Sequence, residues 1–196
     1  MLVGGLLKNS SELLIKQIQH EKMQSLSADA DRALILIGRA IRMAGYQNTK
    51  TILQKKKVSR SRERSLEIQK GVGFGGSDSL IVKYQLPEGI NLDCIGNVLS
   101  FDRTKNTLVH QGFLVKQDSS KSKNQIYQGG SLMCQSLDRQ GQVQNSTLMS
   151  GVERLTIQEQ VAQQGQPRLF TISLTMADGL GVRRLFQRTF ATRNAT

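Results

Sequence analysis

The chain has 196 residues, 38% of them hydrophobic and 5% aromatic with no Trp, and 27 basic against 15 acidic side chains give a net charge of +12. That length and apolar content suffice for one buried core, which excludes wholesale disorder, and two prolines exclude a proline-rich linker. No run approaches the roughly 20 apolar residues of a bilayer span. The opening residues 1–7 stop at Lys8 and carry neither a basic n-region nor a small-x-small cleavage site, so the chain as written reads as soluble. The basic surplus suits an anionic partner, nucleic acid or a phospholipid surface. Cys94, Cys134, His20 and His110 lack the paired spacing of a zinc site, and no metal or cofactor is expected.

Residues 10–44 have a helical period. Ser10 or Ser11 is placed to cap the start, and Ile15, Ile18, Met23, Leu26, Ala30, Ala33, Leu34, Ile37, Ile41 and Ala44 recur in steps of three and four. The first half of this stripe is narrow among Lys16, Gln17, Gln19, His20, Glu21 and Lys22. The second, Ala33-Leu-Ile-Leu-Ile-Gly38, is apolar nearly all round and predicts burial. Gly45 stands where a helix C′ glycine belongs. A helix of about 35 residues is about 52 Å long, longer than the domain it would pack on, so one end must protrude.

Residues 47–78 read as a basic connecting loop. Between residues 50 and 70, Lys50, Lys55, Lys56, Lys57, Arg60, Arg62, Arg64 and Lys70 are opposed only by Glu67 and Glu63, half of the whole surplus. Such a run can grip phosphates, DNA included, yet it lacks the interleaved aromatics of single-strand binders, and a solvated loop is the plainer reading. Gly71-Val-Gly-Phe-Gly-Gly76 fits G-x-G-x-x-G, but a strand rather than a helix follows it, which removes the dinucleotide reading.

From residue 79 to the end the period becomes two. Strands are expected over residues 79–85, 97–101, 108–116, 125–128, 131–134, 152–161, 168–176 and 184–192, the cleanest alternating Phe170, Ile172, Leu174 and Met176 with Thr171, Ser173 and Thr175. The fold class is therefore α+β: a long helix (residues 1–46), the loop, and an antiparallel sheet or two-sheet body (residues 79–196). Ser77, Asp78, Ser79 and His110 make a triad only on paper, and no nucleophile elbow accompanies them, so an enzyme is not expected. Cys94 and Cys134 are either one disulfide in an oxidising compartment or two buried thiols; the residues leave both open.

Several motifs resemble the minor pilins of type IV pili of the PilW type. Ala30-Asp-Arg-Ala-Leu-Ile-Leu-Ile-Gly-Arg-Ala-Ile-Arg-Met-Ala-Gly-Tyr46 is similar to that family's helix ending. Gly76-Ser-Asp-Ser-Leu-Ile-Val-Lys-Tyr84, Asp93-Cys-Ile-Gly96, Ser131-Leu-Met-Cys134, Ser150-Gly-Val-Glu-Arg-Leu155 and Phe190-Ala-Thr-Arg-Asn194 follow in the family's order. The resemblance runs from about residue 26 to the end; J-type pseudopilins of type II secretion share the plan. The chain departs from it in having no prepilin-peptidase site and no apolar segment with an early glutamate, so it reads as N-terminally truncated.

The resemblance implies a subunit that initiates or caps a pilus. Its full-length form would sit in the inner membrane facing the periplasm and then on the cell-surface pilus, with other minor pilins and the major pilin as partners. It also implies the disulfide Cys94–Cys134 and filament packing through Leu14, Ile15, Ile18 and Met23 on the protruding half-helix. The alternatives are a nucleic-acid module using Lys55, Lys56, Lys57, Arg60, Arg62 and Arg64, or a type II secretion pseudopilin.

Overall fold

The computed structural model describes residues 3–48, 65–104, 108–118, 129–160, 167–178 and 182–194, with side chains from Glu12 onward. Among these residues one α-helix, α1 (Val3–Met43), precedes nine strands: β1 (Leu66–Gly73), β2 (Ser77–Gln85), β3 (Asn91–Leu92), β4 (Val98–Leu99), β5 (Leu108–Gln117), β6 (Gly130–Leu137), β7 (Val143–Gln160), β8 (Leu169–Ala177) and β9 (Arg183–Ala191). The fold is α+β. Its strands form one seven-stranded antiparallel sheet, β1-β2-β5-β6-β7-β8-β9, with β3 and β4 pairing as a separate small hairpin between β2 and β5.

Helix α1 begins before the expected start. Ser10 and Ser11 lie inside it and do not cap it, because the helical period continues through Leu6 and Leu7 despite two glycines. Its end is as the sequence predicts: Gly45 takes the left-handed conformation (φ 69°) just past the last turn. The second half is less uniformly buried than its composition implies, since Ile35 is exposed while Leu34 and Ile37 are sealed.

The segment expected as a connecting loop contains β1. Leu66 and Ile68 point inward and Glu67, Gln69 and Val72 outward, too short an alternation to stand out beside the charge run and the glycines. A 3-10 turn (Phe74–Gly76) joins β1 to β2, and its backbone explains Gly75: φ is +64°, and a Cβ there would lie 2.7 Å from the carbonyl oxygen of Glu153.

Strand β7 is far longer than the expected residues 152–161. Its first half pairs with β6, its second with β8, and a bulge at Glu153 marks the change. Beyond that bulge the edge that β6 has left is met by side chains from β2. The Leu155 N–H donates to Ser77 Oγ (3.1 Å), and the Ile157 N–H donates to Asp78 Oδ2 (2.8 Å). The sheet thus curls until its second strand closes on its fifth, and buried donors that would otherwise be orphaned find acceptors. Inside the curl, Leu80, Val82, Phe113, Leu132, Leu155, Ile157, Phe170, Ile172, Leu174 and Met176 form a core with Leu34, Ile37 and Ile41 of α1. The strand expected over residues 125–128 lies outside the described residues.

Candidate assembly surface

Helix α1 lives in two environments. From Leu26 onward it lies against β9, β2 and β8, and Leu26, Ala30, Ala33, Leu34, Ile37, Ala40, Ile41 and Ala44 are buried. The small residues among these let the helix backbone come close to the sheet. At the tightest point the Phe190 ring of β9 occupies the space a Cβ on Gly38 would need, 2.2 Å away. Arg42 covers the same ring from the helix side, 5.8 Å from its centroid, and Arg188 pairs with Asp31 at 2.8 Å.

The helix end is fastened by backbone rather than by area. The Gly45 N–H donates to the Lys83 carbonyl (3.2 Å) and the Gln85 N–H to the Tyr46 carbonyl (2.9 Å), tying the last turn to β2. From the other end of the chain, the Asn194 amide donates to the Ala44 carbonyl (3.0 Å), satisfying one of the acceptors a helix terminus leaves open. Sequence reasoning treats Asn194 only as part of a terminal motif; its partner is 150 residues away, and no local pattern points to it.

From Glu12 to Ser25, about 20 Å of helix, no described side chain is fully buried. Leu14 (60% exposed), Ile15 (56%) and Ile18 (51%) stand on one face, Leu13 (67%) lies beside them, and Met23 is half-buried where docking begins. The structure therefore brings Leu14, Ile15 and Ile18 together as one exposed apolar face. Leu13 joins the set without having been expected, because it falls off the 3.6-residue stripe. Glu12, Lys16, Gln17, Gln19, His20, Glu21, Lys22, Gln24 and Ser25 complete the segment, with a helical bond from the Gln17 amide to Glu21 (3.1 Å).

Cys94 and Cys134 are joined as a disulfide, with Cα atoms 6.1 Å apart, and both are buried. The bond ties the β3–β4 hairpin to β6. Of the basic run, Lys50, Lys55, Lys56, Lys57, Arg60, Arg62 and Arg64 lie outside the described residues. Lys70 is described, and its ammonium is engaged: it pairs with Asp78 at 2.9 Å and donates to the Ile157 carbonyl.

The paper triad does not assemble. Burial alone would raise the Asp78 carboxyl, but hydrogen bonds from the Ile157 N–H, the Lys70 ammonium and the Gly71 N–H hold it below the usual carboxylate value. His110 sits opposite Lys83 on β5. Burial, then the Lys83 charge, lower its pKa, with a Gln135 hydrogen bond opposing them. Tyr84 is pushed up to about 12 by burial, with Arg39 lowering and Asp93 raising it. Among the described residues no three His, Cys, Asp or Glu side chains gather as metal ligands, and no helix is long and apolar enough to cross a membrane. No family model matches the chain, and neither a curated protein nor a solved structure does.

Proposed function

We propose that this chain is a minor pilin: a structural subunit that helps initiate or cap a type IV pilus, acting through assembly rather than catalysis. One observation carries the reading. A single long helix is docked by its C-terminal half on a β body and holds Leu14, Ile15 and Ile18 in the open on its N-terminal half. An exposed apolar helix face is a form that partner helices recognise. The motif order described above adds to this, and a disulfide between Cys94 and Cys134 suits a periplasmic and surface life.

The partners under this reading are other minor pilins and the major pilin, and the inner membrane before assembly, through an apolar anchor encoded upstream of Met1. Reading the gene upstream of that codon tests the anchor. In-frame continuation into a basic leader and an apolar run with an early glutamate is expected; a stop codon and ribosome-binding site immediately before Met1 would remove the mechanism. For the surface itself, Ile15→Asp with Ile18→Asp should abolish incorporation into pili while the purified β body keeps its thermal unfolding midpoint. Normal piliation by that variant refutes the assignment. Loss of secretion rather than piliation on gene deletion would move the chain to the pseudopilins.

A further inference from the structure

The β3–β4 hairpin, the residue before it and the turn after it hold four large apolar side chains in the open: Ile90 (85% exposed), Ile95 (37%), Val98 (56%) and Phe101 (69%). This stretch is firmly built. Asp93, with a fully buried side chain, accepts from the Ile95 and Asn97 N–H groups on Oδ1 (3.0 and 2.8 Å) and from the Ser136 hydroxyl on Oδ2 (2.7 Å). Arg103 lies 3.5 Å from the same carboxylate and donates to the carbonyls of Val98 (2.7 Å) and Leu137. The neighbouring Cys94 is bonded to Cys134. Apolar groups on so fixed a frame are preorganised for contact, because little ordering entropy remains to be lost on binding.

Beside this hairpin lies an open groove of about 540 Å³, within the ~300–1,000 Å³ of ligand clefts, lined by Asn97, Val98, Arg103, Asp138, Arg139 and Gln144 among others. Leu92 pairs with Val98 across the hairpin, so both side chains share one face. The charges are unevenly committed. Asp138 Oδ1 accepts from the N–H groups of Gln140 (2.9 Å) and Gln142 (2.8 Å), holding its own turn. Arg139 has no ion-pair partner among the described residues, and Arg103 Nε is buried with no acceptor.

We propose that this groove binds an extended acidic–aliphatic peptide segment of another protein. A carboxylate would pair with Arg139, the Asn97 and Gln144 amides would hydrogen-bond the peptide backbone, and aliphatic side chains would cover Val98 and Leu92. Charge complementarity selects the acid, since Arg139 has no ion-pair partner among the described residues and the chain has a net charge of +12. The site is separate from the helix face and does not depend on the pilin reading.

The test is selection of phage-displayed random peptides on the disulfide-intact protein, followed by fluorescence anisotropy with the selected peptides. Both Arg139→Glu and Val98→Ser alter exposed positions, and circular dichroism checks that each variant folds. Expected are peptides with Asp or Glu beside Ile, Leu or Val, whose affinity falls at least about tenfold with Arg139→Glu and also with Val98→Ser. The proposal is overturned by selections that yield no such pattern, or by peptides that bind both variants as well as the parent. Binding to phosphatidylglycerol vesicles that is lost with Phe101→Ser but kept with Arg139→Glu would overturn it in favour of lipid.

Discussion

Replacing Asp78 with Asn tests the account of how the sheet closes. The carboxylate receives the Ile157 N–H at 2.8 Å, the Lys70 ammonium at 2.9 Å and the Gly71 N–H at 3.1 Å, and Asp78 is buried. Asn keeps the shape but retains one acceptor oxygen, so its NH₂ must face a donor. A buried donor left unpaired costs about 1–3 kcal/mol, and bonds to a charged acceptor are worth more than neutral ones. Asp78→Asn should therefore cost about 3 kcal/mol at pH 7. Lys70→Met should cost about 1 kcal/mol or less, because the ammonium is mostly exposed and its attraction is screened by water. The sign with pH follows from the lowered pKa: the unfolded carboxyl takes up its proton first as pH falls. The stabilisation is thus complete above the ordinary value near 4 and lost as pH drops through the folded value. Urea unfolding followed by circular dichroism at pH 7 and near pH 2 reads both effects. A cost below about 1 kcal/mol at pH 7, or a difference between parent and variant that does not shrink as pH falls below the ordinary carboxyl value near 4, would refute the reasoning.

Three further outcomes are expected. Gly38→Val places a branched Cβ where the Phe190 ring lies, and overpacking of about 1–3 kcal/mol should outweigh the modest helix-propensity gain, giving a net loss near 2 kcal/mol. Most of that loss should vanish in a Phe190→Ala background, and a double-mutant cycle with no coupling would contradict the packing. Cys94→Ala with Cys134→Ala should lower stability by about 4 kcal/mol in the chain-entropy model, read as a shift in urea midpoint; a change under 1 kcal/mol would show that the bond does not constrain the unfolded chain. Burial, then the Lys83 charge, disfavour the charged form of His110, so its contribution is full above the unfolded value of about 6.5 and is lost as pH falls through that value toward the folded one. His110→Gln should flatten the stability profile between about pH 7 and 5, and an unchanged profile would place that proton uptake on another group.

The parts legible in the sequence were those set by local periodicity. The alternation of Phe170, Ile172, Leu174 and Met176 marks β8 because one face of that strand is sealed by the core, and the stripe from Leu26 to Ala44 marks the docked helix for the same reason. Strand β1 was hidden because only Leu66 and Ile68 face inward, and its partner β2 supplies the rest of its definition. The length of β7 was hidden because it changes partners at a bulge, and residues 143–147, polar after Val143, are half-buried or exposed. The polar closure through Ser77 and Asp78 depends on contacts 78 and 79 residues apart in sequence. In the sequence Ser77 and Asp78 close the segment read as a connecting loop, and only the curl of the sheet turns them into acceptors for a strand edge.

The two halves of α1 are held by different physics, and this bears on what the protruding half is for. An isolated helix of that length is marginal in water, since nucleation costs more than a few turns return. Here the docked half, fixed by Ala30, Ala33, Ile37, Ile41 and the Asn194 cap, supplies the nucleus from which residues 12–25 extend. Within that extension Leu14, Ile15 and Ile18 contribute nothing to the core described here, and as exposed apolar groups they favour self-association. A polar replacement at these positions would leave the docked half untouched and improve solubility. Under the proposed function, their presence together on one face, on a helix whose rigidity is inherited from the body, would be accounted for by a partner that covers them. That is why the Ile15→Asp, Ile18→Asp variant should separate folding from assembly: it alters the face that would meet a neighbour and none of the contacts that hold the chain together.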